Sequence, residues 1–271
     1  MNRCFALLRS GVRFGSFLAI CGAAGAHAAW LGMTRRSLPK ATRQARWLRR
    51  WCAVLLRQIG VTVTVQGRAP DGGMLVCNHV SYLDMPALTA ATEMVFISKA
   101  EVRSWPLIGT IATLGGTLFL DRSRRAPVVE VGQAAVPIVA EGVVVTLFPE
   151  GTSTAGDHVL PFHSSLLAPA AEHGWPVTPT WVGYELADGS VVDEVAYWRD
   201  MTFLPHFLNL LRKRHIRAIV RFGEPLRNTD RKALARELHA AVRRLASPDS
   251  VPATAAAVVC SGVRGDSLAR S

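Results

Sequence analysis

A histidine and an aspartate five positions apart, His79 and Asp84, are the first residues in the chain whose types and spacing can do chemistry. They lie in Asn78-His79-Val80-Ser81-Tyr82-Leu83-Asp84, which follows directly on the apolar run Met74-Leu75-Val76-Cys77. A neutral imidazole can take the proton of an attacking hydroxyl. A carboxylate on its other ring nitrogen fixes the tautomer and stabilises the imidazolium that forms. This is the base and orienter of a hydrolase triad, with no nucleophile supplied by the local sequence, so the substrate is expected to bring its own hydroxyl. Cys77, two positions before His79, reads as a buried structural thiol in an apolar strand rather than a nucleophile.

The spacing constrains the elements that must position the pair. Five residues along a helix rotate a side chain by about 500°, so the two groups cannot share one face of a regular helix. They meet only if a turn runs into a helix start. The surroundings allow this: Met74 to Cys77 reads as a short buried strand, and Asp84-Met85-Pro86 offers a cap followed by a first-turn proline. A surface turn with a capping aspartate would have the same sequence, so the pair needs companions.

Three further blocks follow in order. Gly115-Gly116-Thr117-Leu118-Phe119-Leu120-Asp121-Arg122 is an apolar strand running into a basic cluster extended by Arg124 and Arg125, suited to gripping a phosphate. Residues 143–148 form a second apolar run closing on Pro149-Glu150-Gly151-Thr152-Ser153, the pattern of a buried parallel strand delivering polar groups to the carboxyl edge of a sheet. Trp175-Pro176-Val177-Thr178-Pro179-Thr180 reads as an extended core strand.

In order, spacing and residue type these blocks resemble the motifs of the glycerolipid acyltransferase family, over roughly residues 61–223. The resemblance implies that His79 is the general base, that Asp84 orients it, that Arg122 binds the acceptor's polar head, and that Glu150 and Gly151 complete the acceptor site together with Asn78, Phe119 and Thr152. It implies transfer of a fatty acyl group from a thioester, acyl-CoA or acyl carrier protein, to the hydroxyl of a lysolipid, with no cofactor. Lysophosphatidate is the first acceptor it suggests. Two departures point to a less anionic acceptor: Ser153 stands where the family usually has arginine, and His163 where it usually has lysine. The stretch from Tyr197 to His206 is similar to a bacterial branch that includes lyso-ornithine lipid acyltransferases, so that acceptor is the alternative. A membrane lipid-binding protein without turnover is the reading from a different class, and an intact His79/Asp84 pair argues against it.

The composition suits a membrane enzyme. The 271 residues are 49% hydrophobic and 19% charged, with a net charge of +11 that favours anionic lipid surfaces. No groove-reading helix, zinc spacing or stacking signature accompanies the basic residues, so nucleic acid is not expected as a partner. From Phe14 to Met33 there is no charged residue, about the twenty needed to cross a bilayer, although Gly, Ala, Ser and His27 dilute the run. Ala26-His27-Ala28 resembles a signal-peptidase site, but cytoplasmic donors favour an uncleaved anchor in the inner membrane, with the active site facing the cytoplasm. Within residues 41–59, Trp47, Leu48, Trp51, Val54, Leu55 and Ile59 recur at helical spacing, as an interfacial helix or one packed on the domain.

The expected fold is α/β: a single acyltransferase domain over residues 61–246 with a mixed, largely parallel sheet flanked by helices. Residues 1–60 provide membrane-associated helices and residues 247–271 a flexible tail. Strands are expected at 61–65, 74–77, 95–98, 117–120, 143–148, 177–184 and 216–222, and helices at 105–114, 127–140, 164–172, 203–214 and 231–245. The five cysteines and the scattered histidines show no disulfide framework or metal spacing.

Overall fold

The computed structural model describes residues 2–34, 37–121, 127–247 and 257–260. The alternating valines of the first strand and the unbroken apolar runs after it become β1 (Val61–Gln66), β2 (Met74–Cys77), β3 (Met94–Lys99), β4 (Leu118–Leu120), β5 (Val144–Leu147), β6 (Val177–Leu186) and β7 (Ile216–Phe222). They form one sheet in the order β4-β3-β5-β2-β6-β7-β1, extended by β8 (Ala257–Cys260) beside β1. From β4 to β6 every neighbouring pair is parallel. The β6–β7 pair is antiparallel, β7–β1 parallel and β1–β8 antiparallel. β8 corrects the expectation of a wholly flexible tail: Val258 and Val259 favour extended backbone, and β1 otherwise presents an open edge.

Residues β-paired in the middle of such a sheet are covered on both faces, and β2 shows this residue by residue. Leu75 and Cys77 face a cluster built with α2 (Lys40–Ile59), α3 (Asp84–Ala91) and α8 (Phe203–Leu210). Met74 and Val76 face the opposite cluster with α6 (Ala168–His173) and α9 (Arg231–Leu245). The period of two in side-chain direction turns a four-residue apolar run into two core layers.

The remaining helices are α1 (Asn2–Thr34), α4 (Ile108–Leu114), α5 (Pro127–Ala140) and α7 (Val191–Glu194). Three expected helices are shorter than their apolar patterns. A 3₁₀ turn at Ala100–Ser104 precedes α4, whose start waits until after Pro106 and a Leu107 at φ 62°. α6 begins only after a 3₁₀ turn at Ser164–Leu167, with Pro169 in its first turn. α8 stops at Leu210, and the guanidinium of Arg13 accepts the role of its cap, donating to the carbonyls of Leu211 and Lys213 at 3.2 and 2.5 Å.

α2 is packed on the domain. Trp47, Leu48, Leu56 and Ile59 are buried, and the helix ends on Gly60 at φ 80°, where a Cβ would lie 2.9 Å from the carbonyl oxygen of Arg214. α1 lies along it. Trp47 Nε1 donates to the carbonyl of Ala24 at 3.0 Å, Trp51 Nε1 to His27 Nδ1 at 3.0 Å, and Gln58 Nε2 to Ser16 Oγ at 2.9 Å.

Candidate active site

Parallel strands that start together also end together, and this brings the distant sequence blocks to one edge. The β2–β5 register pairs Val76 with Leu147, so three residues further on His79 stands level with Glu150. Neighbouring strands are separated by about 4.8 Å, which is within side-chain reach. The backbone N–H of His79 donates to Glu150 Oε1 at 2.9 Å, and that of Leu160 donates to Glu150 Oε2 at 2.8 Å. Glu150 is 3% exposed. Burial pushes its pKa above the ordinary glutamate value, and the two backbone hydrogen bonds and His79 act in the opposite direction.

Asp84 is the first residue of α3, so the turn expected between His79 and a helix start is present. Its fully buried carboxylate accepts from His79 Nδ1 at 2.7 Å, while the N–H groups of Val80 and Ser81 donate to the same oxygen, Oδ2, at 2.7 and 3.0 Å. With backbone donors already on Oδ2, the proton of the imidazole belongs on Nδ1. Nε2 is thereby left with its lone pair as the basic atom. The other carboxylate oxygen, Oδ1, accepts from the Tyr184 hydroxyl at 2.6 Å. The His79 side chain keeps 23% of its surface exposed, enough for a substrate to reach it.

The ring of His79 stacks on Phe148, with centroids 4.2 Å apart and planes 20° apart, and Phe148 stacks in turn on Phe96 at 6.3 Å. Phe96 lines an apolar cavity of about 150 Å³ whose walls come from five helices: Phe17 of α1, Leu55 of α2, Met85 of α3, Ile111 of α4 and Phe207 of α8. Leu107, Ile108, Ala112 and Thr117 complete the wall on that side.

The other residues singled out by sequence have distinct placements. Asn78 is buried, and its side-chain amide is clasped to β6: Nδ2 donates to the carbonyl of Val182 at 2.9 Å and Oδ1 accepts from its N–H at 2.8 Å. It thus continues the β2–β6 ladder with a side chain. Gly151 adopts φ 71°, a conformation a side chain would strain, and its N–H donates to the carbonyl of Phe148 at 3.1 Å. Thr152 is exposed. Phe119, on β4, lies three strands from β2, about 14 Å away, with the guanidinium of Arg103 over its ring at 4.8 Å. Arg122, with Arg124 and Arg125, lies outside the described residues. Cys77 is buried, and burial followed by the nearby Asp84 and Glu150 carboxylates holds its thiol far above the ordinary value, so it stays protonated and unreactive.

Two contributions to the site's support were not foreseen from the sequence, although one lies in a stretch already singled out by its resemblance. Tyr184 carried one available signal, a tyrosine near the end of a strand that extends past its neighbour β2. The second is the segment 195–202, which is fastened to the histidine turn: the Tyr197 N–H donates to the carbonyl of Val80 at 2.8 Å, and the Ser153 hydroxyl donates to the carbonyl of Tyr197 at 2.5 Å.

Comparison with known proteins supplies the family. The Acyltransferase family profile matches residues 60–183. A lyso-ornithine lipid O-acyltransferase of Pseudomonas aeruginosa is 36% identical over 224 residues, covering 80% of this chain and 85% of the relative. A 1-acyl-sn-glycerol-3-phosphate acyltransferase of Neisseria gonorrhoeae is 33% identical over 115 residues, covering 42% of this chain and 45% of the relative. The crystal structure of the 1-acyl-sn-glycerophosphate acyltransferase PlsC from Thermotoga maritima superposes with a TM-score of 0.66 at 18% identity, covering 91% of this chain and 96% of that one, which shows a shared fold. The family profile, together with 36% identity to a named O-acyltransferase over four-fifths of the chain, makes this chain a member of the acyltransferase family that acylates lysolipids.

Proposed function

We propose that this lysolipid O-acyltransferase esterifies the hydroxyl of lyso-ornithine lipid, taking its acyl group from acyl-CoA or acyl carrier protein. His79 Nε2 accepts the proton of the lysolipid hydroxyl as that oxygen attacks the thioester carbonyl. Collapse of the tetrahedral intermediate breaks the C–S bond, and the imidazolium returns the proton to the departing thiolate. The acyl chain runs into the apolar cavity behind Phe148. The observation that carries the chemistry is the His79 Nδ1–Asp84 Oδ2 contact of 2.7 Å, which leaves the other ring nitrogen free as base.

Sequence identity over four-fifths of the chain supports the acceptor. So does a cation suited to the acceptor's carboxylate: Arg199 is exposed two residues beyond the Tyr197–Val80 bond, its guanidinium 3.9 Å above the Trp198 ring. Lysophosphatidate is the second reading, favoured by the Neisseria relative and by the basic run at Arg122, Arg124 and Arg125.

The membrane assignment also becomes more specific. α1 is long and apolar enough to cross a bilayer by length and composition. Yet it touches the catalytic domain from Arg9, bonded to the carbonyl of Arg212, to His27, bonded to Trp51. Those eighteen steps of helix span about 27 Å, nearly the thickness of the hydrocarbon core. A helix held along that length cannot cross while the domain stays outside. We therefore place α1 in the plane of the cytoplasmic leaflet, with Phe5, Leu7, Leu8 and Val12 facing lipid.

The test is an acyl-transfer assay on the purified protein, offering lyso-ornithine lipid and lysophosphatidate with each donor. Ornithine lipid is the expected product. Exclusive formation of phosphatidate would replace the acceptor, and no product from any pairing would reject the reading. His79→Ala should lose 10²-fold or more, roughly the contribution of a positioned base, and Cys77→Ser should keep activity.

A further inference from the structure

We propose that Tyr184 is a positioning residue for acyl transfer, acting on the His79 base through Asp84. Asp84 Oδ2 has three donors, His79 Nδ1 and the N–H groups of Val80 and Ser81. Among the described residues, Oδ1 has one partner, the Tyr184 hydroxyl at 2.6 Å. The two oxygens of a carboxylate are chemically equal, and rotation about the terminal torsion exchanges them unless each is held. Tyr184 holds the second. It thereby fixes which oxygen meets the imidazole, at what angle, and with how much negative charge left to stabilise the imidazolium.

The fold gives Tyr184 this place. β6 pairs in parallel with β2, with Cys77 opposite Thr180, and then runs on past the end of β2. Val182, two residues further, clasps Asn78, and Tyr184, two residues beyond that, is on the same side of the strand. One strand therefore secures both ends of the histidine turn, Asn78 through its backbone and Asp84 through a side chain. Burial, followed by the neighbouring Asp84 carboxylate, holds the phenol far above its ordinary pKa, so the hydroxyl remains a donor at all working pH values.

The inference rests on His79 being the base, and its test separates the two claims. Among the described residues, the ionisable groups around the pair are Cys77, Tyr82, Glu150 and Tyr184. Of these, Tyr184 alone is bonded to Asp84 by its side chain. Tyr184→Phe keeps the ring and removes the donor. An Asp84 carboxylate relieved of that bond attracts the His79 proton more strongly, so the acid limb of the kcat/KM profile should move to higher pH. kcat should fall roughly tenfold or more, the scale on which partners that orient histidines act elsewhere, with KM for the lysolipid unchanged.

Nitrogen NMR of the His79 ring reads tautomer and titration without turnover, and does so even in an inactive variant. In the full-length wild-type protein it should show a proton on Nδ1; in Tyr184→Phe it should show a titration moved upward. An unmoved acid limb and unmoved His79 titration in a folded Tyr184→Phe protein would overturn the proposal. Full activity in His79→Ala would instead sink the reading on which it depends.

Discussion

Glu150 illustrates how little freedom a buried carboxylate has at this site. Its two oxygens face two donors, the N–H groups of His79 and Leu160, so both must be acceptors. Glu150→Gln would turn one acceptor into an NH₂ aimed at an N–H. Leaving a buried donor unpaired costs about 1–3 kcal/mol. The expected outcome is a lower denaturant midpoint at unchanged slope, with a fall in kcat because the backbone of the base itself loses its anchor. An equal midpoint with wild-type activity would show that Glu150 is no strut. The carboxylate is thus required for where it holds the chain, quite apart from any contact with the acceptor.

At the scale of elements, the catalytic turn is held from three sides: by β2 behind it, by β6 through Asn78 and Asp84, and by α8. The last link is Tyr82, inside the histidine turn, whose hydroxyl is hydrogen-bonded to His206 Nδ1 of α8 at 2.9 Å within a cluster that includes Tyr197, Phe203 and Phe207. Burial lowers the pKa of His206 below its ordinary value of 6.5. With the folded value depressed, the unfolded chain takes up the proton first as pH falls. Stability contributed by neutral His206 is therefore complete above the unfolded value and drains away as pH drops from about 6.5 toward the folded value. His206→Gln keeps an acceptor for Tyr82 and removes the titration. Between pH 7.5 and 5.5 the wild type should lose more stability than this variant in denaturant melts, and parallel losses would dismiss the link.

At the scale of the whole molecule, α1 and α2 form one wall of the apolar cavity, so under the proposed reading membrane contact and acyl-chain channel are built from the same helices. An α1 lying in the cytoplasmic leaflet keeps Cys4 on the catalytic side, and Cys4 is exposed. In a variant retaining only that cysteine, a membrane-impermeant maleimide should fail to label the protein in intact spheroplasts and should label it once the membrane is opened. Labelling from outside would instead mean that the helix crosses and that its packing against α2 and α8 is lost in the bilayer.

The chemistry was legible in the sequence because it is local. His79 and Asp84 lie in one turn, and strand ends announce themselves through apolar runs closing on polar residues, so the His79–Asp84 pairing, seven strands and the α/β class could be read from residue types and spacing. The shortened helices could not, because Pro106, a left-handed Leu107 and the Arg13 cap stop patterns that hydrophobic periodicity would continue. Tertiary structure alone decided the long-range partners. His79 and Glu150 are 71 positions apart, Asp84 and Tyr184 100, and Tyr82 and His206 124. No periodicity encodes such pairs; the first two arise from the order in which β5, β2 and β6 lie side by side, and the third from α8 packing against the histidine turn. The sequence therefore determined which groups could react, while sheet order and register determined what holds them still.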